Sequence, residues 1–268
     1  MFTATMQDSK IFAGIIDILN EVIDETVIKV SKNGMEFTAF DESHICLLNA
    51  LIPASMFADF KCDGAHEIGV NLEDLYKITK RFKANDALFL KYETESEKIT
   101  MQAKGTGTRT FTSRVVSVDA GKIPPTSELD VEFDSNATFS INILAEAIKD
   151  SEIYADTMEI KLDASGLTTT SEGEVGEMIY NLSQDHLDAI RVAKSGTGRW
   201  SLAYLKKLVK ANLLADKVTI FIADNAPMKF HVEFETTGQA KLLPADAPKG
   251  HVTYYLAPRV PEDELMEE

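Results

Sequence analysis

The sequence predicts an α+β protein made of two similar halves, and three observations predict it. A helix followed by a β-hairpin occurs twice, and a second helix followed by a strand occurs twice. Between the halves lies a Pro-Pro pair that neither a helix nor a central strand accepts. In the first half, Ser9 to Val22 carries Ile11, Phe12, Ile15, Ile16, Leu19 and Val22 at helical spacing. Val27 to Val30 then reads as a strand, Lys32 to Gly34 as a turn, and a second strand starts at Met35. In the second half, Ile141 to Ser151 reads as a helix and Met158 to Leu162 as a strand. Ser165-Gly166 is its turn and Leu167 opens the next strand. Gly34 and Gly166 correspond at an offset of 132, as do Phe12 and Leu144, Ile16 and Ile148, and Ile28 and Ile160.

The second helices match at an offset of 130, which pairs Leu72 with Leu202, Leu75 with Leu205, Ile78 with Leu208 and Asp86 with Asp216. Lys77 falls on Lys207 and Lys80 on Lys210; the strands Ala87 to Tyr92 and Val218 to Ile222 follow. The expected domains are residues 1–117, a connector 118–134 and residues 135–268, the last ending in an acidic tail. The connector holds Pro124-Pro125 among loop residues, yet also Ile123, Leu129 and Val131, so it is more than a spacer.

Composition narrows the function. The chain has 268 residues, of which 44% are hydrophobic and 26% charged, which fits globular domains and argues against disorder. Its longest apolar stretch, Ile45 to Phe57, is interrupted by Asn49, Pro53 and Ser55 and is too short to span a bilayer. The N-terminus lacks the pattern of a signal peptide. The two cysteines, Cys46 and Cys62, form no CxxC and no cluster with histidines, which fits a reducing compartment inside the cell.

The formal net charge of −16 predicts repulsion from nucleic acid and from anionic lipid. The basic residues are, however, concentrated. On a helix from Leu72 to Lys83, the stripe Leu72, Leu75, Ile78 and Phe82 faces one way, and Lys77, Lys80 and Arg81 face the other with Lys83 at the edge. On a helix from Leu202 to Lys210, the stripe is Leu202, Leu205, Leu208 and Val209, with Lys206, Lys207 and Lys210 opposite. One basic helix face is ordinarily just solvated; two at equivalent positions in an acidic chain point to a polyanion met through its backbone. No catalytic or metal-ligand motif stands out: there is no HExxH, no GxSxG and no P-loop, and the GxG pieces at Gly105 and Gly196 read as turns. The expectation is a binding or scaffold protein rather than an enzyme, with no cofactor and no metal. Trp200 reads as a packing anchor ahead of a helix.

With these residues in view, the chain resembles the DNA sliding clamps of the proliferating cell nuclear antigen type, archaeal members in particular. The matching pieces run in order along nearly the whole chain. They are MF before an amphipathic helix, GMEFTAFDESHICL at Gly34–Leu47, GVNL at Gly69–Leu72 entering a basic helix, APM at Ala226–Met228, and YYLAPR at Tyr254–Arg259. The resemblance implies two clamp domains per chain, each with two helices on antiparallel sheets, and three chains closing a ring around duplex DNA. An acidic exterior then repels DNA while basic helices face its phosphates, and retention comes from linkage rather than affinity. The DNA-facing set it implies, joined with the helical-face reading, is Lys77, Lys80, Arg81, Lys83, Lys149, Lys206, Lys207 and Lys210. Ala13, Gly14 and Asn20 stand where many members carry lysines, and the third helix has Glu146 beside its lone Lys149, so the lining is expected to be uneven.

The resemblance further implies edge-strand pairing between chains, from Arg109–Ser117 on one to Val175–Ser183 on the next, with Arg109, Phe111, Val115, Met178, Tyr180 and Leu182 as joint residues. It also implies a pocket under the connector that takes a short peptide with one aliphatic and two aromatic anchors. Its residues here are Phe40, His44, Ile45, Leu47, Ile123, Leu129, Val131, Pro227, Tyr255, Leu256, Ala257 and Pro258. The implied partners are double-stranded DNA, the replicative DNA polymerase, the clamp loader, a flap endonuclease and a DNA ligase, and the assembly is a homotrimer or a heterotrimer with paralogous subunits. The implied setting is intracellular, without a membrane: the cytoplasm or nucleoid of an archaeon, or the nucleus of a eukaryote. The alternatives are a checkpoint-type clamp subunit of the same fold, and an acidic enzyme built on a duplicated domain.

Overall fold

The computed structural model describes all residues except 84, 119–122, 125–127, 225, 236–247 and 260–268. The acidic tail and part of the connector therefore lie outside the described residues. Two compact units are present, Met1–Ser127 with Glu233–Val252, and Glu128–Val232 with Thr253–Glu268. The assignment of Glu233–Val252 to the first unit is not contained in the linear division into halves.

The first unit opens with β1 (Phe2–Met6), α1 (Lys10–Asn20), β2 (Glu25–Ser31), β3 (Gly34–Phe40), β4 (Cys46–Pro53), β5 (Asp59–Cys62) and β6 (His66–Asn71). It continues with α2 (Leu72–Thr79), β7 (Ala87–Glu93), β8 (Lys98–Lys104) and β9 (Thr108–Arg114). One antiparallel sheet runs β5-β1-β7-β8-β9, with β9 at its edge, and β6-β2-β3-β4 are neighbours in another. Phe12, Ile15, Ile16 and Leu19 of α1 are buried with Phe2 and Phe37, and apolar burial of this kind supplies the main favourable free energy of the unit.

The second unit repeats the plan with β10 (Ser135–Ser140), α3 (Ile141–Ser151), β11 (Thr157–Asp163), β12 (Gly166–Gly173), β13 (Gly176–Ser183), β14 (Ala189–Val192) and β15 (Gly196–Ser201). Then come α4 (Leu202–Leu208), β16 (Lys217–Ile222), β17 (Met228–Phe234) and β18 (Gly250–Leu256), of which residues 233–234 and 250–252 count with the first unit. Strands β13-β12-β11-β15 form a four-stranded sheet with β13 at its edge, and β14-β10-β16-β17 are neighbours in another. Just as β1 pairs with β5 and β7, β10 pairs with β14 and β16.

The duplication extends to backbone detail. Gly34 and Gly166 have φ of 140° and 139°, and a Cβ on either would lie 2.2 or 2.1 Å from a carbonyl oxygen of the adjacent strand, that of Ile52 or Leu182. Only glycine takes up both the dihedral and the close approach. After the next strand each unit makes one 3₁₀ turn, Ala54–Met56 in the first and Gln184–His186 in the second. Trp200 on β15 is fully buried, and its indole N–H donates to the Leu256 carbonyl at 3.1 Å.

The hairpin turn before Gly166 carries an acid-sensitive contact. The Ser165 hydroxyl and amide and the Lys161 ammonium hold the Asp163 carboxyl down at about 2, against an ordinary 3.8. Since the folded value lies below the unfolded one, its contribution to stability is full above about pH 4 and vanishes as pH falls through about 2. Stability of Asp163→Asn is expected to vary less with pH across this window than that of the wild type, as read by denaturant titrations at each pH. Parallel curves would rule the contact out as a source of acid sensitivity.

Candidate functional site

Helices α2, α3 and α4, with the turns that follow α2 and α4, present the basic residues. α2 begins on Asn71, whose side chain accepts the Asp74 N–H at 3.0 Å, and Glu73 and Asp74 occupy its first turn. The helix is shorter than its apolar stripe suggests: it stops at Thr79 rather than Lys83. Arg81 and Phe82 donate to the Ile78 and Thr79 carbonyls in i→i+3 fashion, and the Lys83 N–H is taken by Asp86 Oδ2 at 2.7 Å. Consequently Lys80, Arg81 and Lys83 sit on the turn beyond the helix, not on its face. The buried residues of α2 are Leu72, Leu75 and Thr79, while Ile78 is half-exposed.

Lys77, Lys80, Arg81, Lys83, Lys149 and Lys206 are exposed; Lys207 and Lys210 are half-buried. Several have a carboxylate within reach. Lys77 Nζ lies 2.8 Å from Glu73, Lys80 2.9 Å from Asp17 on α1, Lys149 2.6 Å from Glu146, and Lys206 2.8 Å from Glu152 beyond α3. Hydrogen bonding to these acids raises the pKa of Lys77, Lys80 and Lys149. Lys80 also lies over the Tyr76 ring at 4.8 Å, and Lys207 over Tyr204 at 5.3 Å. Thus α2 is tied to α1 by Lys80–Asp17, and α4 to the end of α3 by Lys206–Glu152, one bridge in each unit. Exposed pairs of this kind contribute about 0–1 kcal/mol each. Their larger effect is on the field: a lysine held by an acid presents a weaker positive potential than a free one. Lys210 lies in a 3₁₀ stretch, Val209–Leu213, that continues from α4.

In the first unit, the loop between β3 and β4 is built on one carboxylate. Asp41 is buried, and its Oδ1 accepts the amides of Ile45 at 2.8 Å and Cys46 at 2.7 Å, while Oδ2 accepts that of Ser43 at 3.3 Å. His44 adopts a left-handed backbone with φ 55°, and its ring stacks on Phe40 with centroids 5.1 Å apart. His44 and Ile45 are exposed, Phe40 and Ile123 half-buried, and Leu47 is buried in the core. Asp41→Ala removes the acceptor for these amides and is expected to cost about 2–3 kcal/mol. Urea denaturation checks this; a loss below about 0.5 kcal/mol would mean that the loop holds without it.

In the second unit, Leu129, Val131, Pro227, Ala257 and Pro258 are half-buried. Tyr255, by contrast, is only 2% exposed, and Leu256 is equally sequestered. Burial and the charge of Glu128 push the Tyr255 hydroxyl above its ordinary pKa, offset by a backbone hydrogen bond with Leu129. Lys229 lies over its ring at 5.6 Å. Leu47, Tyr255 and Leu256 are therefore core residues that support a surface rather than offer one.

The two strands expected at the joint between chains, β9 and β13, each lie at an edge of their sheet. Arg109 and Phe111 of β9 turn toward their own unit, as described below. Val115 follows β9, and its N–H donates to the Glu97 carbonyl at 3.0 Å. Gly69 is required where the chain passes next: a Cβ on it would stand 2.0 Å from the Val116 oxygen. On β13, Leu182 is buried, Met178 and Tyr180 are half-buried, and the Met178 sulfur lies 3.9 Å from the Ser151 hydroxyl. The apolar residues open to solvent are instead Val175 at 81% and Ile179 at 54%. Sequence reasoning did not single them out as joint residues, although alternation with Met178 and Tyr180 puts Ile179 on the opposite face.

This repeated α+β unit, with a helix pair and an edge strand in each copy, is the architecture of a two-domain clamp. The chain belongs to the proliferating cell nuclear antigen family: the model of that family's N-terminal domain matches residues 1–121 and that of its C-terminal domain residues 126–247. Similar curated proteins are described as DNA polymerase sliding clamps. That of Methanothermobacter thermautotrophicus is 26% identical over 98% of this chain and 100% of its own, and that of Pyrococcus abyssi is 29% identical over 97% and 99%. Among solved structures, proliferating cellular nuclear antigen from Entamoeba histolytica superposes with a TM-score of 0.85 at 23% identity, covering 97% of this chain and 99% of that one. A chain of the PCNA2–PCNA3 complex from Sulfolobus tokodaii gives 0.83 at 23% identity over 96% and 99%. These descriptions favour the clamp over the checkpoint-subunit and enzyme alternatives.

Proposed function

We propose that the protein is a DNA polymerase sliding clamp, a processivity factor without enzymatic activity that encircles duplex DNA inside the cell. The observation that supports it most is the duplication itself: each unit has a helix pair bearing lysines, in a chain whose net charge is −16. Three chains close the ring, β9 of one pairing with β13 of the next. The basic residues, Lys77 and Lys80 foremost, meet phosphates without reading bases, so the contacts are weak and the ring slides. Linkage then requires a closed substrate. The assembled protein, loaded on a nicked circle, should survive a high-salt wash and be lost when the circle is linearised. Equal loss from circle and line would overturn this reading.

The partners we propose are the replicative polymerase, the clamp loader, a flap endonuclease and a DNA ligase, each inserting a short peptide. In the first unit Phe40, His44, Ile45 and Ile123 contribute to its recognition, with Leu47 supporting them; in the second unit Leu129, Val131, Pro227, Ala257 and Pro258 contribute, with Tyr255 and Leu256 supporting them. The sole tryptophan offers a direct test, because Trp200 Nε1 donates to the Leu256 carbonyl. A peptide with an aliphatic and two aromatic anchors should shift Trp200 emission saturably, and Tyr255→Ala should weaken its binding at least tenfold, about 1.4 kcal/mol. Wild-type affinity in a folded Tyr255→Ala protein would remove that residue from the site.

A further inference from the structure

The turn that follows α2 is fastened to edge strand β9 at three points. Arg109 on β9 donates through Nη1 to the Arg81 carbonyl and pairs through Nη2 with Asp86 Oδ2. Between these anchors, Phe82 packs on Phe111 of the same strand, ring centroids 6.2 Å apart. One guanidinium thus holds both ends of the segment that carries Arg81 and Lys83. Arg109 and Phe111, expected from the sequence at the joint between chains, direct their side chains into their own unit.

Asp86 is the centre of this fastening. It is 4% exposed, and besides Arg109 it accepts the Lys83 amide at 2.7 Å. The site is shaped for it: a Cβ on Gly105, in the β8–β9 turn, would lie 2.2 Å from Asp86 Oδ1. The second unit shows what the position does without an arginine. Asp216 corresponds to Asp86, and its carbonyl accepts the Ile141 N–H at 2.9 Å, just as that of Asp86 accepts Ser9 at 3.2 Å. Asp216 is nevertheless exposed. The shared backbone contact belongs to the duplicated fold, and the buried carboxylate with its guanidinium is an addition peculiar to the first unit. A buried carboxylate without a partner is costly, so this pair stays formed and the turn moves with β9.

We propose that Arg109 is a positioning residue that couples closure of the ring to the placement of the DNA-facing charges. This rests on the clamp reading above, in which β9 is a joint and Lys80, Arg81 and Lys83 face DNA. A strand with a free edge frays more readily than one paired on both sides. When β9 gains a partner strand, Arg109 is held still, and through it the Arg81–Asp86 turn. An open or monomeric chain then presents a looser basic turn than a closed ring does. The basic segment is thereby ordered most where the protein is in its working state.

Hydrogen exchange of the full-length protein tests this, read at the Lys83 and Asp86 amides above and below the concentration at which the assembly dissociates. In the wild type these amides are expected to exchange about tenfold more slowly in the assembled state. In Arg109→Met they should exchange at the fast rate in both states, with the α2 amides unchanged. Concentration-independent exchange in a wild type that does assemble, or an unchanged difference in Arg109→Met, would overturn the proposal. Because the wild-type arm needs no variant, a poorly folded Arg109→Met does not shelter it, and Phe82→Leu, which loosens the same turn without baring Asp86, should narrow the difference. A wild type that stays monomeric at every concentration, both alone and mixed with paralogous subunits, would instead defeat the clamp reading on which the coupling rests.

Discussion

Changing Lys77 and Lys80 together to glutamate is expected to weaken binding of the assembled protein to linear duplex, where no linkage holds it, by on the order of 100-fold at about 0.15 M salt, while leaving assembly intact. Each reversal removes one positive charge and adds one negative, so the pair changes about twelve charges in a ring of three. The effect is compounded by what surrounds them. Lys77 now offsets Glu73 and Asp74, and Lys80 offsets Asp17; the variant would bring five carboxylates together on the α1–α2 face. The folding cost should be small, since the pairs broken are exposed and worth about 0–1 kcal/mol each. The same logic predicts the opposite change from neutralising the acids. Glu73→Gln with Glu146→Gln removes the nearest acid from Lys77 and from Lys149, and should strengthen binding to linear duplex and steepen its dependence on salt. A salt titration of binding to linear duplex reads both. An unchanged salt slope in Lys77→Glu, Lys80→Glu would remove α2 from the DNA-facing surface.

That the lysines come with their own acids was only partly visible in the sequence. Glu73 and Glu146 are close to Lys77 and Lys149 along one helix, so spacing alone could pair them. Asp17 and Lys80 are 63 positions apart, and Glu152 and Lys206 are 54 apart; those pairs exist only because the helices of each unit lie side by side. The end of α2 was hidden for a related reason. Its apolar stripe runs on to Phe82, but Asp86 captures the Lys83 amide and Arg109 the Arg81 carbonyl, and no helical period reports those contacts. Where local pattern suffices, the reading is sharp. α3 spans Ile141–Ser151 as its spacing requires, and Gly34 and Gly166 share one backbone conformation. β1 escaped notice although Phe2, Ala4 and Met6 alternate with Thr3 and Thr5, because a five-residue strand at a chain end gives alternation little room.

The residues proposed for partner binding illustrate a different limit. β4 and β18 are buried along almost their whole length, so alternation cannot divide outward from inward side chains. Leu47, Tyr255 and Leu256 look in the sequence like neighbours of exposed residues, and only the fold shows them to be underneath. The D-x-S-H stretch was legible as a motif, but its physical basis was not. It is a loop nucleated by Asp41, in which His44 takes the left-handed conformation that histidine adopts more readily than most residues.

Placing an aspartate at Ile179 is expected to take the ring apart. β13 is the edge of its sheet, and it shows Ile179 and, just before it, Val175 to solvent. An apolar edge strand left open is an invitation to aggregation, which proteins normally blunt with charge or cover. In the proposed ring, head-to-tail pairing of β9 with β13 would cover both of these edges at every joint. Burying an isoleucine contributes about 1.5–3 kcal/mol, and an aspartate at the same place adds the cost of a desolvated charge, so each joint should weaken by more than 100-fold. Because Ile179 is 54% exposed within its own chain, the monomer should keep its fold and its melting temperature. Light scattering over a dilution series would then fall from a mass near three times 29.6 kDa to that of a single chain at micromolar concentration. A wild type already at the single-chain mass would mean that paralogous subunits complete the ring, and mixing with them should restore the joint. An unchanged trimer in Ile179→Asp would place the joint elsewhere. The variant should also slip from circular DNA in high salt although every lysine of the lining is intact, a loss that weakened phosphate contacts cannot produce, since those contacts are already screened.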